Sequence, residues 1–173
     1  IPIGFKSDYS LLKSLFKVKD IIEFAKIKNC KYVGILDENP YGIMDFYDKC
    51  ISNDLKCIFG MILKIGDYKL YFYIQNYRGY KNLIKLYDLV QDEKLSFNEI
   101  YKYNDGLICV LPYESYNLLG RLRTAFQVFL AYKNAAELKN AEQISKNVLF
   151  LNEIMYLKKE DAYNHEVLLC IQT

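Results

Sequence analysis

Polar and apolar positions along the chain fall into blocks whose period switches repeatedly between helical and extended spacing. Ile1-Pro2-Ile3-Gly4-Phe5 reads as a short strand that turns at Lys6-Ser7-Asp8, and Tyr9-Ser10-Leu11-Leu12 then opens a loop. Ile21, Ile22 and Ala25 set a helical period from Val18 to Lys28, and Lys31 to Leu36 is an apolar strand closed by Asp37-Glu38-Asn39-Pro40. Ile43 to Ser52 is amphipathic, with Met44, Tyr47 and Ile51 on one face. Leu55 to Ile65 and Tyr68 to Ile74 are β-rich, joined by a Gly66-Asp67 hairpin turn. Leu83, Leu86, Tyr87 and Val90 form the stripe of the next helix, and Ser96-x-x-Glu99 has the form of a capping box. Leu107 to Leu111 reads as a buried strand, Tyr116 to Phe126 as a helix and Val128 to Tyr132 as a strand. Asn134-x-x-Glu137 caps a helix ending near Lys146. The apolar run Val148 to Leu151 then meets polar Asn152-Glu153. A helical segment follows, with Glu160 and Asp161 in its first turn and Val167, Leu168, Cys170 and Ile171 facing inward.

These blocks amount to about seven strands, mostly alternating with helices, which is the pattern of an α/β fold. Continuous apolar strands such as Leu107–Leu111 and Val148–Leu151 imply a sheet covered on both faces and largely parallel. An open doubly wound sheet and a closed, distorted β/α barrel both satisfy the pattern. A regular eight-unit barrel needs about 250 residues, more than the 173 present. The length suits one domain, residues 1–173, with a substantial core. The missing initiator Met and an end just after an apolar helix lead us to expect a piece of a longer protein.

Composition narrows the function classes. Hydrophobic residues make up 52% and charged residues 25%, as in an ordinary folded protein. A net charge of +2 supplies no global field for nucleic acid. The local excess of lysine in residues 1–31 (Lys6, Lys13, Lys17, Lys19, Lys26, Lys28 and Lys31) reads as a solvated helix face. The 17 Tyr and 10 Phe, together with abundant Lys, Asn and Ile, reflect coding by AT-rich DNA. Tyr68, Tyr71, Phe72 and Tyr73 put aromatics on both faces of one strand, which suits a doubly covered core better than base stacking. Five cysteines occur without a C-x-x-C, and Cys50, Cys109 and Cys170 stand in apolar runs. We therefore expect reduced, buried thiols and a cytoplasmic protein. No apolar run approaches the roughly 18 residues of a membrane span. There is no P-loop, G-x-G-x-x-G or G-x-S-x-G, and Cys109 has no neighbouring His to make it a nucleophile.

A succession of short motifs carries a resemblance. Tyr9-Ser10-Leu11-Leu12, then Asp37, Asn39, Tyr41 and Gly42 with Phe46-Tyr47, Ile58-Phe59-Gly60, Gly79-Tyr80-Lys81-Asn82-Leu83 and Gly106-Leu107-Ile108 follow one another in order. Asn152, Tyr156, Leu157, Glu160, Asp161, His165 and Leu168 to Thr173 complete the series. It resembles the polymerase-and-histidinol-phosphatase (PHP) domain found in bacterial DNA polymerase III alpha subunits. The resemblance implies a reduced, distorted PHP-type β/α barrel of about seven strands, shortened between Leu111 and Val128. It also implies a parent chain that extends primed DNA from deoxynucleoside triphosphates. Its partners would be the remaining polymerase domains of the same chain, replisome proteins and, through the parent polymerase, DNA.

The resemblance implies a metal site as well, built from several histidines and carboxylates at strand ends, ligands that suit zinc, manganese and iron. The matching positions here are occupied by other residues. The opening H-x-H is Gly4 and Lys6, the His of T-D-H is Glu38 beside a retained Asp37, and the Glu after I-I-G is Ile62. A later strand His is Lys69, and the final Asp and His are Glu153 and Met155. His165 is the only histidine and falls outside the cluster, where a packing or hydrogen-bonding role is expected. We therefore expect no catalytic residue and no cofactor, with Lys6 as a counter-ion for Asp37. One Mg²⁺ held by Asp37, Glu38 and Glu153 is the single metal the composition leaves open. Three functions remain: a non-catalytic domain of a polymerase, a phosphoesterase or 3′-5′ proofreading nuclease rebuilt on carboxylates, and a free-standing α/β interaction module.

Overall fold

A computed structural model describes residues 1–11, 13–156, 161, 163 and 166. The expected closing helix, including His165, lies outside them apart from Asp161, Tyr163 and Glu166. Six strands hydrogen-bond in sequence order in one mixed sheet, and the chain divides into two compact units.

The first unit comprises residues 1–60 and 153–173. It holds α1 (Val18–Ile27), β1 (Tyr32–Asp37), α2 (Ile43–Ile51) and the start of β2 (Lys56–Ile65). Its core gathers on the fully buried Phe5, whose ring meets Phe16 and Phe24 edge-on at 5.7 and 5.2 Å. Phe5 also makes the main-chain link, bridging in parallel to Ile35 on one side and Ile154 on the other.

The second unit comprises residues 61–152. It contains the rest of β2, then β3 (Tyr68–Ile74), α3 (Tyr77–Gln91), α4 (Phe97–Lys102) and β4 (Leu107–Leu111). A 3₁₀ turn (Tyr113–Leu118) leads to α5 (Leu119–Leu122), β5 (Gln127–Tyr132), α6 (Ala135–Ile144) and β6 (Val148–Phe150). β3 runs antiparallel to β4, with Phe72 opposite Cys109, and β4, β5 and β6 are mutually parallel. The caps follow the sequence: Ser96 accepts from the Glu99 N–H, and Asn134 from the Glu137 N–H at 2.9 Å.

Five expectations are corrected. Among the described residues six strands form where about seven were expected, because the opening segment contributes isolated bridges at Phe5 rather than a strand. That segment reaches β1 through main-chain carbonyls, Pro2 accepting the Gly34 N–H at 2.9 Å and Phe5 the Leu36 N–H at 2.7 Å. The sheet is mixed rather than largely parallel, since the hairpin at Gly66 and the β3–β4 pair both reverse the chain. The helix expected over Tyr116–Phe126 is a 3₁₀ turn and one short α segment, with Ser115 in a non-helical conformation between Pro112 and the turn's end. On α2 the inward face is Ile43, Phe46 and Cys50, whereas Met44, Tyr47 and Ile51 are exposed. β6 is also less covered than its composition suggests: Val148 and Leu149 are half-buried and Phe150 is exposed.

Cys50 and Cys109 are buried and Cys30 and Cys57 half-buried, all four as free thiols. Burial pushes the Cys109 thiol far up. No described helix is long and apolar enough to cross a membrane.

Candidate functional site

The end of β1 carries Asp37 and Glu38 to the segment where Phe5 meets Ile154, and two charged constellations form there. Asp37 is 1% exposed and faces the loop that follows Lys6. Its Oδ1 accepts the Ser7 N–H at 2.8 Å and the Ser10 hydroxyl at 2.7 Å, and its Oδ2 accepts the Ser7 hydroxyl at 2.6 Å. Burial raises the Asp37 carboxyl above its ordinary value, and the hydrogen bonds from Ser7 and Ser10 and the charge of Lys6 offset that only in part. Asp37 thus acts as a capping anchor for residues 7–10. Ser14 extends the loop's internal wiring, donating to the Lys6 carbonyl at 2.6 Å and accepting from the Phe16 N–H at 3.1 Å.

The second constellation is an ion-pair network. The Lys6 ammonium lies 3.0 Å from Glu38 Oε1 and 2.9 Å from Glu153 Oε2, and its side chain is 3% exposed. Glu38 Oε2 is also bound by the Lys13 ammonium. Burial alone would depress the Lys6 pKa, but hydrogen bonding to Glu153 and Glu38 and their charges more than compensate, leaving it raised. Burial likewise works against the Glu38 carboxylate, and Lys13 and Lys6 overcome it, holding its pKa below the usual range. Among the described residues two ammonium groups face two carboxylates in this network.

The expected site positions therefore separate into two groups. Lys6, Glu38 and Glu153 come together, with Asp37 beside them. Gly4 and Met155 contribute main-chain carbonyls, Gly4 accepting the Ile154 N–H at 2.8 Å and Met155 the Leu15 N–H at 3.3 Å. Ile62 and Lys69 belong to the second unit, where Ile62 is buried in β2 and the Lys69 ammonium sits 5.6 Å from the Tyr71 ring centre. The expected pairing of Lys6 with Asp37 is corrected: Lys6 salt-bridges Glu38 and Glu153, and its effect on Asp37 is a longer-range charge effect. Lys6 and Lys13 likewise depart from the solvated-face reading of residues 1–31, which holds for Lys17, Lys19, Lys26, Lys28 and Lys31. Sequence reasoning missed Ser7, Ser10 and Lys13. Their only signal was Ser10 within the Tyr9-Ser10-Leu11-Leu12 motif.

The PHP domain family matches residues 4–157. The chain belongs to the PHP domain family. It is 28% identical, over 99% of its length, to the DNA polymerase III subunit alpha of Ureaplasma parvum serovar 3. It is 26% identical over its whole length to the protein of that name from Borreliella burgdorferi, and 26% identical over 92% to that of Staphylococcus aureus. It covers 16%, 19% and 16% of those relatives, so it spans less than a fifth of the curated proteins it matches.

The metal cluster that the family resemblance implies does not fit the residues present. Among the described residues no group of three or more His, Cys, Asp or Glu side chains is placed to hold a metal. Asp37 already accepts three hydrogen bonds, and an ammonium stands between Glu38 and Glu153. A divalent cation there would meet Lys6 at contact distance, where burial of the ammonium weakens the screening of that repulsion by water.

Proposed function

We propose that this chain is the PHP domain of a DNA polymerase III alpha subunit, and that it serves the polymerase structurally rather than by hydrolysis. Membership of the PHP family and the names of its full-coverage relatives support the first half. The observation that carries the second half is the Lys6 ammonium clamped between Glu38 and Glu153. Hydrolysis of a phosphoester by a PHP-type site needs cations that activate water, and the side chains at the matching positions instead neutralise one another. On this reading the parent chain extends primed DNA, with its polymerase carboxylates in other domains. The PHP domain packs against those domains and offers surface to replisome partners, and no metal is required for its own role.

The same geometry weighs against the nuclease alternative, since Asp37, Glu38 and Glu153 are all engaged within the protein. A 3′-mismatched primer incubated with the chain and Mn²⁺ or Zn²⁺ is expected to remain intact, as with a heat-killed control. Metal-dependent trimming that disappears in Asp37→Asn would overturn the non-catalytic reading. A free-standing module would require the native reading frame to stop near Thr173, and sequencing that region of the gene decides it.

A further inference from the structure

The family resemblance leads to cations at this place, and the structure holds a charge of the right sign by another means. We propose that the Lys6 ammonium is the domain's resident cation, a tethered and non-exchangeable charge that takes over the structural share of a metal's work. It does so by fastening the end of β1 to residues 153–155.

Three strands of argument meet on Lys6. The first is connectivity. Phe5 bridges Ile35 and Ile154, the Lys6 N–H donates to the Ile154 carbonyl at 3.0 Å, and the ammonium then contacts Glu38 and Glu153. Main chain and side chain therefore join the same segments, which are more than a hundred residues apart in sequence. The second is enclosure, since a side chain that is 3% exposed is held where water cannot replace its partners. The third is charge: Lys6 lies against both Glu38 and Glu153, so removing its ammonium takes positive charge away from two largely buried carboxylates. A metal bridging carboxylates from separate segments has these same three properties, but it can leave, and Lys6 cannot. The inference rests on the reading that the metal cluster is absent, and it adds that the cluster's structural role persists.

The test is thermal unfolding of the chain and its variants, followed by circular dichroism. For the native chain, EDTA and Mn²⁺ are each expected to leave the midpoint unmoved. Lys6→Ala is expected to lower it by roughly 10 °C, and Lys6→Arg by less. Truncation to alanine leaves a cation-sized space beside two carboxylates. Ethylammonium or Mn²⁺ is therefore expected to return at least half of the loss, while tetramethylammonium at equal ionic strength, too large to enter, returns none. Replacing all three charges, as Lys6→Met with Glu38→Gln and Glu153→Gln, is expected to be milder than Lys6→Ala and to abolish the cation response. If Lys6→Ala does not fold unaided, its refolding yield with and without ethylammonium or Mn²⁺ is the readout. A native-like midpoint in Lys6→Ala, an equal response to tetramethylammonium, or no recovery with either small cation would overturn the proposal. DNA cleavage by the native chain would sink the preceding reading; an alanine variant indifferent to small cations would sink this one alone.

Discussion

At Asp37 burial competes with three hydrogen bonds and the charge of Lys6, and burial wins, so the carboxyl pKa is raised. At Glu38, one residue on, burial also opposes ionisation, but Lys13 and Lys6 outweigh it and the pKa is lowered. The two shifts act oppositely on stability. The stability from Glu38 is complete above its unfolded value of about 4.3 and is lost as the pH falls through its lower folded value. For Asp37 the native state holds the proton more tightly. Its contribution is therefore complete below about pH 3.9 and is lost as the pH rises through the folded value. Lys6, raised, contributes fully below about pH 10.4 and loses its effect only as the pH climbs through its folded value. Urea unfolding should accordingly show Glu38→Gln less stable than the native chain by about 1–3 kcal/mol at neutral pH, with the difference vanishing in strong acid. Asp37→Asn can keep an acceptor toward Ser7 N–H and Ser10 while its amide donates to Ser7 Oγ. It should stay within about 1 kcal/mol of native at neutral pH, whereas Asp37→Ala, which strands the Ser7 N–H, should cost about 1–3 kcal/mol. A large loss in Asp37→Asn would mean that the carboxylate is needed as a charge and not as an anchor.

Among the elements, α2 shows where pattern alone misleads. Ile43, Met44, Phe46, Tyr47, Cys50 and Ile51 give two overlapping apolar stripes at helical spacing, and the composition does not say which one faces in. The core decides, because Phe46 meets Phe59 edge-on at 5.6 Å and is fully buried. Phe46→Ala should therefore destabilise by about 3–5 kcal/mol, while Met44→Lys and Ile51→Lys should change stability by no more than about 0.5 kcal/mol; denaturant midpoints check both. The Gly79-Tyr80-Lys81-Asn82-Leu83 motif shows the reverse case, in which sequence resemblance marked a real constraint. A Cβ on Gly79 would lie 1.9 Å from the Gly106 carbonyl oxygen, and Gly106 itself has φ +77°. The Asn82 amide donates to the Asp105 carbonyl at 2.9 Å, and Leu83 enters the core. Gly79→Ala should thus cost about 1–3 kcal/mol. Gly120→Ala, which meets nothing within 4 Å in α5, should be neutral or stabilising by up to about 1 kcal/mol. The strands and caps were legible because period-2 runs and Asx or Ser caps act locally. The Lys6 partners were not, since nothing in linear order distinguishes Asp37 from Glu38 as the acid within reach of a lysine some thirty residues earlier.

For the molecule as a whole, a PHP-family chain holds a glycine, two lysines, an isoleucine and a methionine at positions that the resemblance matches to metal ligands, beside acids engaged by Lys6, Lys13, Ser7 and Ser10. That one histidine cannot make a multi-histidine site was plain from the sequence. The Lys6 ion pairs were visible only in three dimensions, because Lys6 and Glu153 lie at opposite ends of the chain and meet through Phe5 and Ile154. The most direct test of the proposed metal-free site is calorimetric titration of the chelator-treated chain with Zn²⁺ and with Mn²⁺. The expected result is no stoichiometric binding heat for either ion; saturable uptake of one or more ions per chain at micromolar or tighter affinity would contradict it.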